Sequence, residues 1–190
     1  MVFIHDGNNI LSKQGRQLFL KLKKLKKEKF IKKVGISIHN FNLLNKILSN
    51  YSIDAIQLPY SFVDRRAEKY LKKIKNRNIE IHARSIFLQG SLLSKIKTNK
   101  KLSLLFDKFN YISKKNHLKK IKFVLAFVLK NQYIDKIIFG VRNLKEFKEL
   151  ASINNFHCKL SKLDKLKSND QEIIDPLKWP ELILEKKKKF

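Results

Sequence analysis

Four polar side chains stand at or near the ends of short apolar runs: His5, Ser37, Gln57 and Arg84. If these runs are parallel strands, their carboxyl ends form the edge where folds built of βα units carry functional groups. His5, at such a strand end, is the best candidate for a catalytic residue. The alternatives are an ordinary histidine near the N-terminus and, for Ser37 and Gln57, satisfied polar residues in a barrel mouth.

A second candidate site is Gly140-Val141-Arg142-Asn143, which suits a phosphate group. A glycine at a strand end lets the backbone approach a phosphate, and a helix N-terminus favours anions. Asn143 can cap the helix that follows. A plain strand–turn–helix junction is the alternative interpretation.

Apolar runs alternate with amphipathic stretches, and this pattern predicts the elements that position these residues. Strands are predicted at residues 2–4, 34–38, 55–58, 79–83 and 137–139, and helices at 13–29, 43–48, 64–74, 118–130 and 144–150. Leu18, Leu22 and Leu25 mark the expected core face of the first helix, and Asp64 is the expected cap of the third. Residues 87–116 are predicted to form a long loop with a short helix at 102–109.

Strands that alternate with helices and are apolar on both faces are typical of a parallel α/β sheet. Five such units fit residues 1–152, and residues 153–190 are predicted to be a polar tail that packs on this domain or extends from it. Since a complete (β/α)₈ barrel takes about 250 residues, the spacing suits five units of such a barrel, or equally an open doubly wound sheet. No GxGxxG or GxxxxGK[ST] motif follows a predicted strand.

The chain of 190 residues has a formal net charge of +27, from 43 Lys and Arg against 16 Asp and Glu. This charge would suit a non-enzymatic protein that binds RNA or another polyanion. Only six of the basic residues are arginine, the better reader of phosphates and base edges. A lysine-coated outer surface is therefore the favoured interpretation, with polyanion binding as the alternative.

Composition also excludes several classes of protein. The single cysteine, Cys158, excludes a disulfide framework and a cysteine-built zinc site, and it fits a reducing cytoplasm. The apolar runs are far shorter than the roughly 18 residues of a membrane span, and the first residues do not have the pattern of a signal peptide. The remaining histidines have no partners at metal-ligand spacing, so no metal site is expected.

Several motifs occur in one order along the chain. They are Val34-Gly35-Ile36-Ser37, Ile56-Gln57-Leu58-Pro59-Tyr60-Ser61, Asp64-Arg65-Arg66, Ala83-Arg84-Ser85-Ile86-Phe87-Leu88-Gln89-Gly90, Ile138-Phe139-Gly140-Val141-Arg142-Asn143 and Asp175-Pro176-Leu177-Lys178-Trp179. This ordered set resembles the aldo/keto reductase superfamily, and within it the bacterial branch with an ARSxFLQG segment. The resemblance extends over nearly the whole chain.

The resemblance implies a (β/α)₈ barrel that reduces an aldehyde or ketone with hydride from NADPH. In this branch the substrate would be a sugar-related carbonyl compound, and the protein would be cytoplasmic. Ile4-His5-Asp6 resembles the end of the family's fourth strand. The first three strand–helix units would then be absent, and the family's catalytic Asp, Tyr and Lys with them, so that His5 alone matches the tetrad. We therefore expect an N-terminally truncated protein that is unstable, aggregating or inactive without the missing N-terminal half.

The resemblance also implies cofactor-binding roles for Ser37, Gln57, Arg84, Ser85, Gly140, Arg142 and Asn143. Ser37 and Gln57 would hydrogen-bond the nicotinamide carboxamide. Arg84 would stack on the nicotinamide ring where many members have a tyrosine, and Arg142 would pair with the ribose 2′-phosphate. Ile38 stands where the family usually has an asparagine after that serine, which removes one carboxamide contact.

Overall fold

A computed structural model describes residues 1–93, 100–115, 119–141, 143–152 and 161–179. Its sheet has five parallel strands in sequential order, namely β1 (Val2–Ile4), β2 (Val34–Ser37), β3 (Ala55–Pro59), β4 (Glu80–Arg84) and β5 (Lys136–Ile137). The helices are α1 (Lys13–Lys27), α2 (Leu44–Asn50), α3 (Glu68–Lys75), α4 (Lys100–Lys115), α5 (Lys120–Leu129), α6 (Leu144–Ala151) and α7 (Gln171–Ile174). The predicted parallel α/β class is thereby confirmed.

The chain divides into two compact units that are interleaved along the sequence. The first comprises Met1–Pro59, Arg66–Arg84 and Gln132–Ile137, and holds the sheet with α1, α2 and α3. The second comprises Tyr60–Arg65, Ser85–Asn131 and Ile138–Phe190, and holds α4 to α7. The domain boundary predicted after residue 152 stays a prediction.

One face of the sheet in the first unit is apolar and covered. Its side chains come from residues that pair in register, such as Ile36 with Ile56 and Ile56 with Ile81. All of the following are 0% exposed: Val34, Ile36, Ile56, Leu58, Ile81 and Ala83. The helices of this unit bury Phe19, Leu22, Leu44, Ile47, Leu71 and Ile74. Removal of this apolar area from water is the main stabilising contribution to the unit.

The opposite face of the sheet is concave. Neighbouring strands lie about 4.8 Å apart, so Phe3 in β1 and His82 in β4 would be about 14 Å apart in a flat sheet. Their ring centroids are 5.4 Å apart. The sheet therefore curls around this face, as the wall of a (β/α)₈ barrel does. Among the described residues, β1 pairs only with β2 and β5 only with β4, so both outer edges are open.

The core face of α1 differs from the expected one. Gly15, Phe19 and Leu22 are buried, whereas Leu18 is 47% and Leu25 38% exposed. The backbone of α1 at Gly15 packs directly against the backbone of Asn9. A Cβ at this position would lie 1.7 Å from the Asn9 oxygen, so only glycine fits. The three leucines lie on one side of the helix as predicted, but only Leu22 is buried there, while Leu18 and Leu25 are partly exposed.

Three further element boundaries differ from the predictions. Helix α3 begins at Glu68 and not at Asp64, because Asp64 belongs to a turn in which its N–H donates to Ser61 Oγ at 2.9 Å. Helix α4 is longer than the short helix expected at 102–109, and the buried face that Leu105 and Phe109 form continues to Ser113. Strand β5 ends at Ile137, which pairs with Ala83, and is therefore shorter than the strand predicted at 137–139.

The second unit has an aromatic core. The Phe62 and Phe109 centroids are 4.8 Å apart, and those of Phe109 and Phe123 are 6.3 Å apart. Residues 161–179 pack in this unit through the buried side chains of Leu163, Leu166, Ile174 and Trp179. Arg65 also contacts this segment, since its Nη1 donates a hydrogen bond to Asp164 Oδ1 at 2.6 Å.

Candidate functional site

A row of polar side chains crosses the concave face of the first unit. Ser37, the last residue of β2, pairs with Gln57 in β3, and Gln57 pairs with His82 in β4. Paired residues of parallel strands project to the same side, with their backbones about 4.8 Å apart. Ser37 and His82 are buried and Gln57 is half-buried. The structure thus brings two of the predicted site residues next to each other.

Arg84 lies at the carboxyl edge of the same face, two residues beyond His82. Its Nη2 donates to the backbone oxygen of Ile38 at 3.0 Å, directly after β2. Because β3 lies between β2 and β4, the guanidinium group reaches across the end of β3. Arg84 therefore lies over the strand ends that carry Ser37 and Gln57.

His5 lies at the same edge but is exposed. It follows Ile4, the partner of Ile36 in the ladder, which brings it level with Ser37. Its backbone position agrees with the prediction that it comes from a strand end. Its catalytic role stays a prediction.

A charged cluster, which sequence reasoning missed, lies on the concave face beside this row. Glu80 pairs with Lys33 and with Lys136, whose Nζ is 3.8 Å from Glu80 Oε2, and the same Oε2 is 3.1 Å from His82 Nε2. The hydrogen bond from Lys33, followed by that from His82, lowers the pKa of Glu80 to about 2. The signal in the sequence is the alternation of Glu80, His82 and Arg84, which places all three on one face of a strand.

His82 Nε2 is hydrogen-bonded to the Glu80 carboxylate at 3.1 Å, which leaves Nδ1 as the remaining polar atom of the ring. The ring is 3% exposed. Nδ1 is buried and has no hydrogen-bond partner among the described residues. A buried ring nitrogen of this kind, in line with Ser37 and Gln57, is suited to a hydrogen bond with a polar group of a ligand.

The second unit contains a cavity of about 1010 Å³. Its walls include two predicted site residues, Ser85 and Gly140, and two lysines that sequence reasoning missed, Lys119 and Lys120. Lys119 Nζ is 3.3 Å from Glu149 Oε1, which also lines the cavity. A Cβ added to Gly140 would meet no atom within 4 Å, so the space beside this glycine is open.

The loop that lines part of this cavity has an uncommon backbone. Ser85, Leu88, Gln89 and Gly90 have φ of 57°, 45°, 56° and 81°. Non-glycine residues rarely adopt positive φ, and such residues concentrate at functional sites. Ser85, Gln89 and Gly90 all line the cavity.

Asn143 is the N-cap of α6, because its side chain accepts a hydrogen bond from the Glu146 backbone N–H at 2.9 Å. This confirms the predicted cap. Asn143 is not one of the residues that line the cavity, and Arg142 lies outside the described residues. Phosphate binding by these two residues stays a prediction.

Within the described part of the chain, no group of three or more His, Cys, Asp or Glu side chains is placed to hold a metal ion. None of the helices described there is long and apolar enough to cross a membrane.

The family model of the aldo/keto reductase family matches residues 1–170. The chain therefore belongs to the aldo/keto reductase family, as its ordered motifs suggested. A comparison with curated proteins finds no match.

Solved structures of this family have the same fold. The holo form of the aldo-keto reductase AKR11C1 from Bacillus halodurans aligns with a TM-score of 0.73 and 17% identity over 93% of this chain and 60% of that one. The apo form aligns with a TM-score of 0.71 and 17% identity over 94% of this chain and 65% of that one. The thermostable aldo-keto reductase Tm1743, in complex with the inhibitor epalrestat, aligns with a TM-score of 0.64 and 19% identity. The alignment covers 86% of this chain and 58% of that one. The fold is thus part of a (β/α)₈ barrel, and the chain spans less than two thirds of the length of these relatives.

Proposed function

We propose that this chain forms the NADPH-facing part of an aldo/keto reductase that reduces an aldehyde or ketone. The observation that carries the proposal is the row of Ser37, Gln57 and His82 on the concave face, in a chain of this family. We further propose a cytoplasmic location and a sugar-related carbonyl substrate.

The row fits the carboxamide of a nicotinamide. An amide offers an oxygen acceptor and two N–H donors, and Ser37 and Gln57 can each donate and accept. His82 Nδ1, buried beside Gln57 and unpaired among the described residues, offers a further hydrogen-bonding position. Arg84 has a planar guanidinium group that can stack on a flat ring. When bound, the nicotinamide supplies the hydride, while these side chains orient it.

The cavity of the second unit gives separate support for phosphate binding. Lys119 and Lys120 add positive charge to its wall, and the open space at Gly140 leaves room for a phosphate group. Ser85 offers a hydroxyl group on the same wall. We propose that this cavity binds a phosphate group, and separately that Arg142 and Asn143 contact the phosphates of NADPH, as the family resemblance implies.

Reduction of a carbonyl places negative charge on its oxygen, which needs a positioned proton donor. We propose that His5 orients this oxygen by a hydrogen bond. No residue of this chain matches the family's catalytic Asp, Tyr and Lys. We propose that an N-terminal half outside this sequence supplies them.

NADPH titration followed by Trp and Tyr fluorescence tests this function. We expect binding by the full chain and a roughly tenfold weaker affinity for both Ser37→Ala and Gln57→Ala, since each removes a hydrogen bond from a buried polar ligand group. Gln17→Ala, on the exposed side of α1, is the matched control and should bind normally. Equal affinities for all variants, or salt-dependent RNA binding without NADPH binding, would refute the proposal.

A further inference from the structure

The two ring nitrogens of His82 have different surroundings. Nε2 is 3.1 Å from Glu80 Oε2, whereas Nδ1 is buried and has no hydrogen-bond partner among the described residues. The His82 side chain is only 3% exposed, and a buried polar atom without a partner is uncommon in a folded protein. His82, Glu80 and Gln57 all belong to the first unit. Within that unit, Nδ1 is a hydrogen-bonding position that the described chain does not use.

The Glu80 carboxylate is held at both of its oxygens. Lys33 pairs with Oε1, and Lys136 Nζ lies 3.8 Å from Oε2, the oxygen that faces His82. The hydrogen bonds from Lys33 and His82 lower the pKa of Glu80 to about 2, so this carboxylate is ionised at neutral pH. An ionised carboxylate accepts hydrogen bonds and has no proton to donate. The hydrogen bond between Glu80 and His82 therefore requires a proton on Nε2.

The ring of His82 is also held by packing. Phe3 contacts it with ring centroids 5.4 Å apart and an angle of 58° between the two planes. Phe3 can occupy this place because Gly35 is its partner in β2, where a Cβ would collide with the Phe3 ring. The two nitrogens of an imidazole lie on different edges of the ring, so with Nε2 toward Glu80, Nδ1 is directed away from that carboxylate.

We propose that Glu80 is a positioning residue that keeps His82 in the neutral Nε2–H tautomer, so that Nδ1 accepts an N–H of the nicotinamide carboxamide. This inference rests on the proposed function and adds a specificity-determining group to it. A neutral imidazole with its proton on Nε2 can only accept a hydrogen bond at Nδ1. Ser37 and Gln57, in contrast, can each donate and accept. His82 is therefore the member of the row that selects a primary amide over a group without an N–H.

The position of His82 in the sheet suits this contact. It pairs with Gln57, which pairs with Ser37, so the three residues form one line across β2, β3 and β4. A carboxamide on this line can place its oxygen toward a donor of Ser37 or Gln57 and its nitrogen toward His82. Since Nδ1 is buried, a ligand with a methyl group in place of the NH₂ would leave it unsatisfied, and such a loss discriminates strongly between ligands.

NADPH and its reduced 3-acetylpyridine analogue, in which a methyl group replaces the carboxamide NH₂, test this contact. In fluorescence titrations of the full chain, we expect the affinity for NADPH to be roughly tenfold higher or more. His82→Leu should lose most of this preference, because it removes the acceptor. His82→Asn should keep part of it, since the asparagine amide can place an oxygen near the position of Nδ1. Circular dichroism checks that both variants keep their fold.

Long-range ¹H–¹⁵N spectra of the chain without ligand test the role of Glu80, since they distinguish a protonated ring nitrogen from a bare one. We expect His82, assigned by its missing signals in His82→Leu, to have a protonated Nε2 and a bare Nδ1 at neutral pH. Glu80→Gln should lower the fraction with the proton on Nε2 and reduce the preference for NADPH. Glu28→Gln is the matched control in the same unit, because Glu28 pairs with Lys24 on the surface, where these side chains are 42% and 77% exposed. It should leave both measurements at their wild-type values.

Two kinds of result would overturn this inference. A bare Nε2 in the wild type, or an unchanged tautomer in Glu80→Gln, would contradict the positioning role of Glu80. Equal wild-type affinities for the two ligands, or a preference that His82→Leu keeps unchanged, would contradict the contact with the carboxamide. Either result leaves the proposed function in place as long as the chain binds NADPH. A chain that does not bind NADPH would refute the proposed function together with the carboxamide contact, whereas the spectra without ligand would still decide the role of Glu80.

Discussion

The middle of the sheet and the stretch from β5 to α6 are built from the same kinds of residues, yet they differ in burial. Ile36, Ile56 and Ile81 are 0% exposed, whereas Ile138 and Leu144 are 41% and 65% exposed. Within the described part of the chain, the middle strands have a neighbour on each side, and β5 has a neighbour on one side only. In this comparison, the buried apolar side chains belong to strands that have a neighbouring strand on both sides.

This comparison predicts that stability depends on the middle units and association on the outer ones. Apolar area that is already out of water contributes to folding, while exposed apolar area contributes when a partner covers it. Paired substitutions of the same residue type in the two regions test this directly.

The largest difference is expected for leucines on two helices. Leu71 of α3 is 1% exposed and Leu144 of α6 is 65% exposed. Leu71→Ala should lower the free energy of unfolding by about 2–5 kcal/mol, through lost burial and a cavity. Leu144→Ala should change it by no more than about 0.5 kcal/mol. Urea unfolding measures both values, and similar losses for the two variants would show that α6 is packed like α3.

Two glycines, Gly15 in α1 and Gly140 after β5, differ in the same way in how closely other atoms pack against them. A Cβ at Gly15 would lie 1.7 Å from the Asn9 oxygen, whereas one at Gly140 would meet nothing within 4 Å. Gly15→Ala should therefore destabilise the chain by about 1–3 kcal/mol, although alanine normally favours a helix over glycine. Gly140→Ala should leave thermal unfolding unchanged. A stabilised Gly15→Ala variant would contradict the close packing of α1 on the Asn9 backbone.

The sequence was informative wherever local pattern decides structure. The first strand, the capping of α6 by Asn143 and the order of the parallel units all follow from apolar periodicity, cap residues and turn residues. The motif order also located the strand ends where Ser37, Gln57 and Arg84 lie close together.

Features that depend on neighbours could not be predicted in this way. Periodicity marks Leu18 and Leu25 as apolar, but it does not say whether another helix covers them. The inward direction of Gly15 depends on the backbone of Asn9, and the cluster of Glu80, Lys33 and Lys136 depends on the curvature of the sheet. These are tertiary effects: the alternation of Glu80, His82 and Arg84 predicts a shared face of the strand, but it does not predict the partners Lys33 and Lys136.

The smallest expected effect concerns carboxylates in the two regions. Glu80, in the middle of the sheet, has a pKa of about 2 because Lys33 and His82 hydrogen-bond its ionised form, against 4.5 for an ordinary glutamate. A depressed pKa stabilises the folded state above the unfolded value, and this stabilisation is lost as the pH falls from about 4.5 to about 2.

Urea unfolding of the wild type and of Glu80→Gln between pH 6 and pH 2 measures this contribution. The wild type should be the more stable at neutral pH, and the difference should shrink across that acidic window, because protonated Glu80 resembles glutamine. Glu149→Gln is the matched control, since Glu149 pairs with Lys119 at 3.3 Å and the Lys119 side chain is 72% exposed. An exposed pair of this kind is screened by water and salt and contributes little to stability, so the control should follow the wild type at every pH. A pH-independent gap between the wild type and Glu80→Gln would show that the Glu80 side chain acts through its packing and not through its charge.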